Sequence, residues 1–283
     1  HIDMLQVADA INPLLDHVVQ RKDAMLALLR MRKKDDYLYN HAIAVSIWAA
    51  MLGQQIGLPT HQLRDLTLGA ALIDVGKVKL PTELLKKPGP LDAQQTKQMQ
   101  KHVNFSVGML SRDEEMDPYI EGIIRGHHER WDGSGYPKGL DDEDIGKYGR
   151  MMAIVDSYDA MISDKCYKAA IHPTAAFKTL IQETNSAYDE ALVEKFIQCL
   201  GVYPVGTLVQ LNSGKIGLIS ELNREKPTSP MVKVFYNARL AQAIPIEDID
   251  LSQSNYKEQI DKCIRPEEFN LNLLGFFKTA FNH

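Results

Sequence analysis

Cysteine is scarce in this chain and badly spaced for chemistry. Cys166, Cys199 and Cys263 are its three cysteines in 283 residues, and no CxxC pair occurs. Neither a disulfide framework nor a thiolate metal site is expected, and a reducing cytoplasm is the expected setting. Basic excess is lacking too, with 32 Lys and Arg against 37 Asp and Glu and a net charge of -5. A DNA-binding surface normally needs a positive patch, so DNA is not an expected partner. A small anion held by a few local lysines is compatible with the same balance. No run reaches the roughly 18 uninterrupted apolar residues of a membrane helix, and no signal-peptide pattern is present. The chain opens on His1 rather than methionine, so natural sequence upstream of it is expected. Internal repeats and low-complexity tracts are absent.

What is present is ordinary globular material, 45% hydrophobic and 24% charged, enough for a sizeable core. Its length suits one large domain with an appendage, or two domains. Residues from about 3 to 34 read as helical and end in the basic run Arg30-Met31-Arg32-Lys33-Lys34. This segment is either the end of a regulatory domain or a helix that mediates homodimerisation. Tyr37 to Gly57 is apolar on nearly every face, which predicts a buried helix. Gly57-Leu58-Pro59-Thr60 ends it, with Thr60 placed to cap the next helix, about 61 to 75. Further helices are expected at about 92 to 111, 117 to 129, 149 to 162, 173 to 184 and 188 to 200. Between them, 132 to 147 is a loop rich in glycine, aspartate and proline. Past Gly201 the pattern alternates. Val205 to Leu211 and Lys215 to Ile219, separated by Asn212-Ser213-Gly214, read as a β-hairpin, and Met231 to Tyr236 as a third strand. The fold class is therefore mainly α, a helical bundle over 35–201 with a small β-rich appendage over 202–283. The last thirty residues read as partly helical.

Several polar residues stand inside apolar helical segments. They are His41, Asp74, His102, the pair His127-His128, and Asp156, and each step from one to the next is about a helix plus a loop. One ligand per helix is how a bundle builds an interior metal site. Imidazoles mixed with carboxylates suit iron, manganese, nickel or zinc better than calcium. Each residue also has a plainer reading. A lone buried histidine is more often a hydrogen-bonded core residue, His102 could lie on a polar face, and Asp156 could pair structurally. Asp74 is harder to dismiss, because a carboxylate in an apolar run needs a partner.

The pair continues as His127-His128-Glu129-Arg130-Trp131-Asp132-Gly133-Ser134-Gly135-Tyr136-Pro137. This stretch resembles the signature of the HD-GYP family, metal-dependent phosphodiesterases of cyclic dinucleotides such as cyclic di-GMP. The likeness runs from about Tyr37 to Tyr167 and includes Gly76-Lys77, Leu80-Pro81, Leu85-x-Lys87-Pro88-Gly89 and Asp156-x-Tyr158-Asp159-Ala160-Met161. The resemblance implies an HD-type helical bundle and a cyclic dinucleotide substrate. It also implies two divalent transition metals. His102, His127 and His128 would hold one, His41 and Asp156 the other, with Asp74 between them. Lys77 falls on the family lysine that would stabilise phosphoryl charge beside Asp74. Lys165 and Lys168 match positions that contact substrate phosphates, the first more often an arginine, whose bidentate fork a lysine lacks. The plain alternative for both is a solvated face. Gly133 and Gly135 would allow backbone angles other residues avoid, and Tyr136 and Pro137 would shape the pocket. A diguanylate cyclase or other signalling protein is a further implied partner.

The chain departs from the family at Ile73, where the His-Asp pair would have its histidine. Tyr37 stands where three-metal members carry glutamate, so a third metal is not expected. Three outcomes of the change at Ile73 stay open: a weaker second metal with turnover, one metal with little turnover, or a degenerate module that binds a cyclic dinucleotide without cleaving it.

Overall fold

The computed structural model describes residues 37–110, 117–163, 170–223, 225–253, 257–264 and 266–269, with positions 9 and 13. Otherwise the N-terminal segment 1–34 lies outside the described residues, as do Lys165, Lys168 and the side chain of Tyr37. Among the described residues the chain divides into two compact units, the first up to Ile171 and from Ala175 to Cys199, the second from Leu200 onward together with His172–Thr174.

In the first unit, α1 (Tyr37–Gln55) is the buried helix its composition predicts, with every residue from Ala44 to Leu52 inside. It ends at Gly57, whose φ of 76° is a left-handed stop. Helix α2 (Thr60–Leu72) starts on Pro59, and Thr60 is its first helical residue rather than its cap. A 3-10 turn (Val75–Lys79) follows, then α3 (Thr82–Leu85). The helix expected over 92 to 111 is two, α4 (Ala93–Gln100) and α5 (His102–Leu110). The break falls at Lys101, whose N–H turns back onto the Gln98 and Met99 carbonyls, and the His102 ring also takes the Met99 carbonyl. Asp92 and Gln95 form a capping box that starts α4. Helix α6 (Pro118–Gly126) starts on Asp117 with proline at its first position. Helices α7 (Lys147–Ile162), α8 (Pro173–Gln182) and α9 (Glu190–Leu200) complete the unit.

Helix α1 packs against α2 and α7, α6 packs against the same two, and α5 packs on the 3-10 turn. Burial drives this arrangement. Trp48 of α1 meets Tyr158 of α7 edge-on at 5.5 Å, and Tyr158 in turn stacks on Phe177 at 5.2 Å and meets Phe196 at 5.1 Å. Among the described residues no helix is long and apolar enough to cross a membrane.

The second unit is a five-stranded antiparallel sheet of order β4-β3-β2-β1-β5. The expected hairpin is β1 (Leu208–Leu211) with β2 (Lys215–Glu221), turning at Gly214 with φ 89°. The third strand is β3 (Met231–Asn237). Two further strands, β4 (Gln242–Asp250) and β5 (Ile260–Cys263), are the edges of the sheet. β4 contains Pro245, which an edge strand tolerates because its N–H is not needed in the ladder. Leu208, Ile216, Leu218, Phe235 and Ile264 form one core cluster of this unit.

Candidate metal centre

Six residues from five parts of the first unit come together in its interior. His41 comes from α1, Asp74 from the turn after α2, His102 from the start of α5, His127 and His128 from the end of α6, and Asp156 from α7. Asp74 is not inside a helix, as its apolar neighbours suggest. It sits in the turn between α2 and the 3-10 segment, with φ -101° and ψ 1°. That turn brings Lys77 back over it, because residues three apart eclipse in a 3-10 turn. The Lys77 N–H donates to the Asp74 carbonyl at 2.9 Å, and its ammonium binds Asp74 Oδ2.

The two oxygens of Asp74 face different neighbours. Oδ1 lies 3.3 Å from His102 Nε2 and 4.0 Å from His127 Nε2. Oδ2 contacts Lys77 and lies 3.6 Å from His41 Nε2. Asp156 spans the two sides, with Oδ1 at 3.0 Å from His41 Nε2 and Oδ2 at 3.8 Å from His128 Nδ1. Asp74, His102, His127 and His128 each offer one ligand atom within 4.8 Å of all the others.

The backbone fixes which nitrogens are free to ligate. His102 Nδ1 lies 2.7 Å from the Met99 carbonyl, and His127 Nδ1 lies 2.6 Å from that of Ile124. A carbonyl only accepts, so both rings carry their proton on Nδ1. The Nε2 lone pairs then face one another at 3.4 Å. Beside them Asp74 Oδ1 is buried without a hydrogen-bond partner. Three acceptors converging in a buried space suit a cation between them, so this donor set fits a divalent metal.

The electrostatics agree. Burial holds His127 down at about 4 and also lowers His102 and His128, so all three are neutral at physiological pH. Burial alone would raise the Asp74 carboxyl, but the positive charges beside it, Lys77 first and then His41, outweigh it and hold the group well below the usual range. Burial likewise opposes ionisation of Asp156, and the His41 contact outweighs it. His41 moves the other way. Burial lowers it, yet hydrogen bonds to Asp156 and Asp159 carry it up to about 9 in the metal-free chain.

The residues on the His41 side are paired with one another, and position 73 adds no donor. Ile73 is wholly buried, its side chain is apolar, and its carbonyl accepts from Ser106 Oγ at 2.8 Å.

The loop after His128 closes over the cluster. The Tyr136 ring stacks on His128 with centroids 4.6 Å apart and meets His102 edge-on at 6.5 Å. Burial, with the nearby Asp156 and Asp74 charges, pushes its phenol up, so Tyr136 stays a neutral hydroxyl. Gly133 has φ 75°, as expected for a residue chosen for its backbone angle. Gly135 is required for a different reason. A Cβ there would lie 2.5 Å from both Glu129 Cα and His128 O and would also collide with Arg130 N.

Two residues to which the sequence assigns no role support this arrangement. Glu129 is buried and accepts from the N–H groups of Lys138 and Leu140, at 2.8 and 3.0 Å, which ties down the far end of the loop. Asp159 accepts from His41 Nδ1 at 2.7 Å and from Trp48 Nε1 at 3.1 Å. A signal for Asp159 existed, a second carboxylate one turn after Asp156 in an apolar helix. Its partner on α1 could not be read from it.

A family model described as an HD domain matches residues 12–192, and one described as a KOW domain associated with HD domain matches residues 208–272. Cyclic di-GMP phosphodiesterase PA4108 of Pseudomonas aeruginosa is 33% identical over 279 residues, covering 99% of this chain and 67% of that protein. A cyclic di-GMP phosphodiesterase of Thermotoga maritima is 31% identical, covering 58% of this chain and 45% of that protein. The 3'3'-cGAMP-specific phosphodiesterase 2 of Vibrio cholerae is 35% identical, covering 56% of this chain and 30% of that protein. The chain thus spans two thirds of the first relative and less than half of the other two. Among solved structures, Bd1817, an HDG"Y"P protein of Bdellovibrio bacteriovorus, shares the fold with a TM-score of 0.59 at 20% identity, over 69% of this chain and 63% of that one. The family match covers more than half of the chain, and the His-His-Glu to Gly-Tyr-Pro stretch lies within it, so the chain belongs to the HD domain family and to its HD-GYP type.

Proposed function

We propose that the chain is a metal-dependent phosphodiesterase that hydrolyses cyclic dinucleotides such as cyclic di-GMP. The observation that carries this reading is the buried convergence of Asp74 Oδ1 with the unprotonated nitrogens of His102 and His127, with His128 beside them. Relatives named for cyclic di-GMP and 3'3'-cGAMP hydrolysis support the substrate class.

In this reading His102, His127 and His128 would hold one divalent cation and His41 and Asp156 a second, with Asp74 available to both. The mixed imidazole and carboxylate set suits iron, manganese or nickel, with zinc also accommodated. Bound cations supply a polarised phosphodiester and a more acidic water. The protein groups do the rest. Lys77 stands beside Asp74 Oδ2, where its ammonium can neutralise charge that builds on phosphoryl oxygens. Tyr136 offers a neutral hydroxyl and an aromatic face at the rim, within the wall formed by Gly135 to Pro137. Lys165 and Lys168 are assigned to the substrate phosphates. A homodimer and a diguanylate cyclase or other signalling partner remain sequence expectations with no contact assigned to them.

Incubating metal-loaded protein with cyclic di-GMP and related cyclic dinucleotides tests the proposal. Linear dinucleotide product is expected, and no product with iron, manganese or nickel would refute it. Ile73 favours a second reading, a degenerate module that binds cyclic dinucleotide without cleaving it. Calorimetric binding without turnover would support that reading, and failure to bind any cyclic dinucleotide would remove it.

A further inference from the structure

With Ile73 in place of a histidine, the imidazole facing Asp74 Oδ2 is that of His41, at 3.6 Å. Whether this side can hold a metal therefore depends on how firmly His41 presents Nε2 inward. Its ring is gripped at both nitrogens from one helix. Asp156 and Asp159 stand one turn apart on α7, with Asp156 Oδ1 3.0 Å from Nε2 and Asp159 Oδ2 2.7 Å from Nδ1. Asp159 is wholly buried and is itself held from two directions. Trp48 Nε1–H donates to Oδ1 at 3.1 Å, and Ser163 Oγ donates to Oδ2 at 3.3 Å. Trp48 lies two helical turns after His41 on α1, so the two present the same face to α7.

We propose that Asp159, braced by Trp48, is the positioning residue that lets the His41 side of the centre hold a metal without a histidine at position 73. The proposal rests on the two-metal reading above. A neutral imidazole that ligates through Nε2 must keep its proton on Nδ1, and a carboxylate at Nδ1 fixes that tautomer and makes the other nitrogen more basic. His102 and His127 have only backbone carbonyls at Nδ1. The stronger carboxylate partner stands on the side that lacks a ligand. A merely structural role, in which Asp159 satisfies the buried Trp48 N–H, would not distinguish one metal from the other.

The full chain is stripped with chelator and titrated with Mn²⁺ by calorimetry, with bound metal counted by elemental analysis. The wild type is expected to show a tight and a weaker class of site. Asp159→Asn is expected to weaken the weaker class by roughly 10–100-fold, leaving the tight class unchanged. Trp48→Phe keeps a ring in the core and deletes the Nε1–H donor. It should shift the weaker class in the same direction by less, and it carries the test if Asp159→Asn does not fold. Adding Ile73→His to Asp159→Asn should restore the weaker class, because a second imidazole then shares the load. Unchanged affinity of both classes in Asp159→Asn would overturn this inference alone. Equal weakening of both classes with no recovery from Ile73→His would overturn it as well. A single class in the wild type would overturn it together with the two-metal reading.

Discussion

Gly135→Ala is expected to remove most of the activity while leaving the metal ligands in place. The added methyl would lie 2.5 Å from Glu129 Cα and His128 O. Ordinary contact between such atoms begins near 3.5 Å, so the methyl is about 1 Å too close on two sides. All the opposing atoms are backbone, so no side-chain rotation relieves the clash. Glu129 is pinned by its two hydrogen bonds to Lys138 and Leu140, so the movement falls on the residues around Tyr136. Overpacking of this kind costs ~1–3 kcal/mol. A shift of about 1 Å moves Tyr136 off its 4.6 Å stack on His128, and misplacement on that scale costs up to roughly 100-fold in rate. The assay is steady-state formation of linear dinucleotide from cyclic di-GMP, with metal content measured in parallel. A fall in kcat/KM of at least tenfold at full metal content is expected. Wild-type kcat/KM in the alanine variant would refute the argument that this close approach sets the pocket.

Glu129→Ala should destabilise the chain by ~2–4 kcal/mol, because the Lys138 and Leu140 N–H groups lose a charged acceptor; urea unfolding measures this, and a change under ~0.5 kcal/mol would contradict it. Lys77→Met should lower kcat roughly 100- to 1,000-fold at unchanged metal content, measured as above, whereas loss of metal would mean that Lys77 acts through Asp74 alone. Metal-free protein should be most stable near pH 6.5. His127 has its folded value lowered to about 4, so the unfolded state takes up its proton first and stability falls as pH drops from about 6.5 to about 4, by roughly 3 kcal/mol. His41 has its folded value raised to about 9, so its contribution is complete below about 6.5 and is lost as pH rises through about 9. Urea unfolding of chelated protein across this range tests both limbs, and a flat profile would refute the assignment.

Much of this was legible because it is local. The helical period of Tyr37 to Gly57, the alternation after Gly201, and the Gly-Tyr-Pro motif lie within single windows of chain. The residues polar against their apolar neighbours, His41, Asp74, His102, His127, His128 and Asp156, are the ones the fold brings together. Short or interrupted signals were not legible. β5 is four residues long and β4 holds Pro245, so each is defined by the strand it pairs with rather than by its own pattern. Periodicity could not show that Asp74 leaves its helix, because ending a helix at Leu72 rather than near residue 75 does not alter the apolar pattern around it.

By itself the sequence determined the family, through the resemblance of its motif, and the helical and strand-rich units with a candidate set of metal-ligating groups, through residue type and spacing along the chain. Tertiary structure alone decided how those groups are used. It divides the two oxygens of Asp74 between the His102–His127 side and the Lys77–His41 side, makes Gly135 a matter of space rather than angle, and sets Asp159 and Trp48 behind His41. These are distances between residues as far as 118 apart in sequence. Helix packing sets such distances, and no window of the chain contains them.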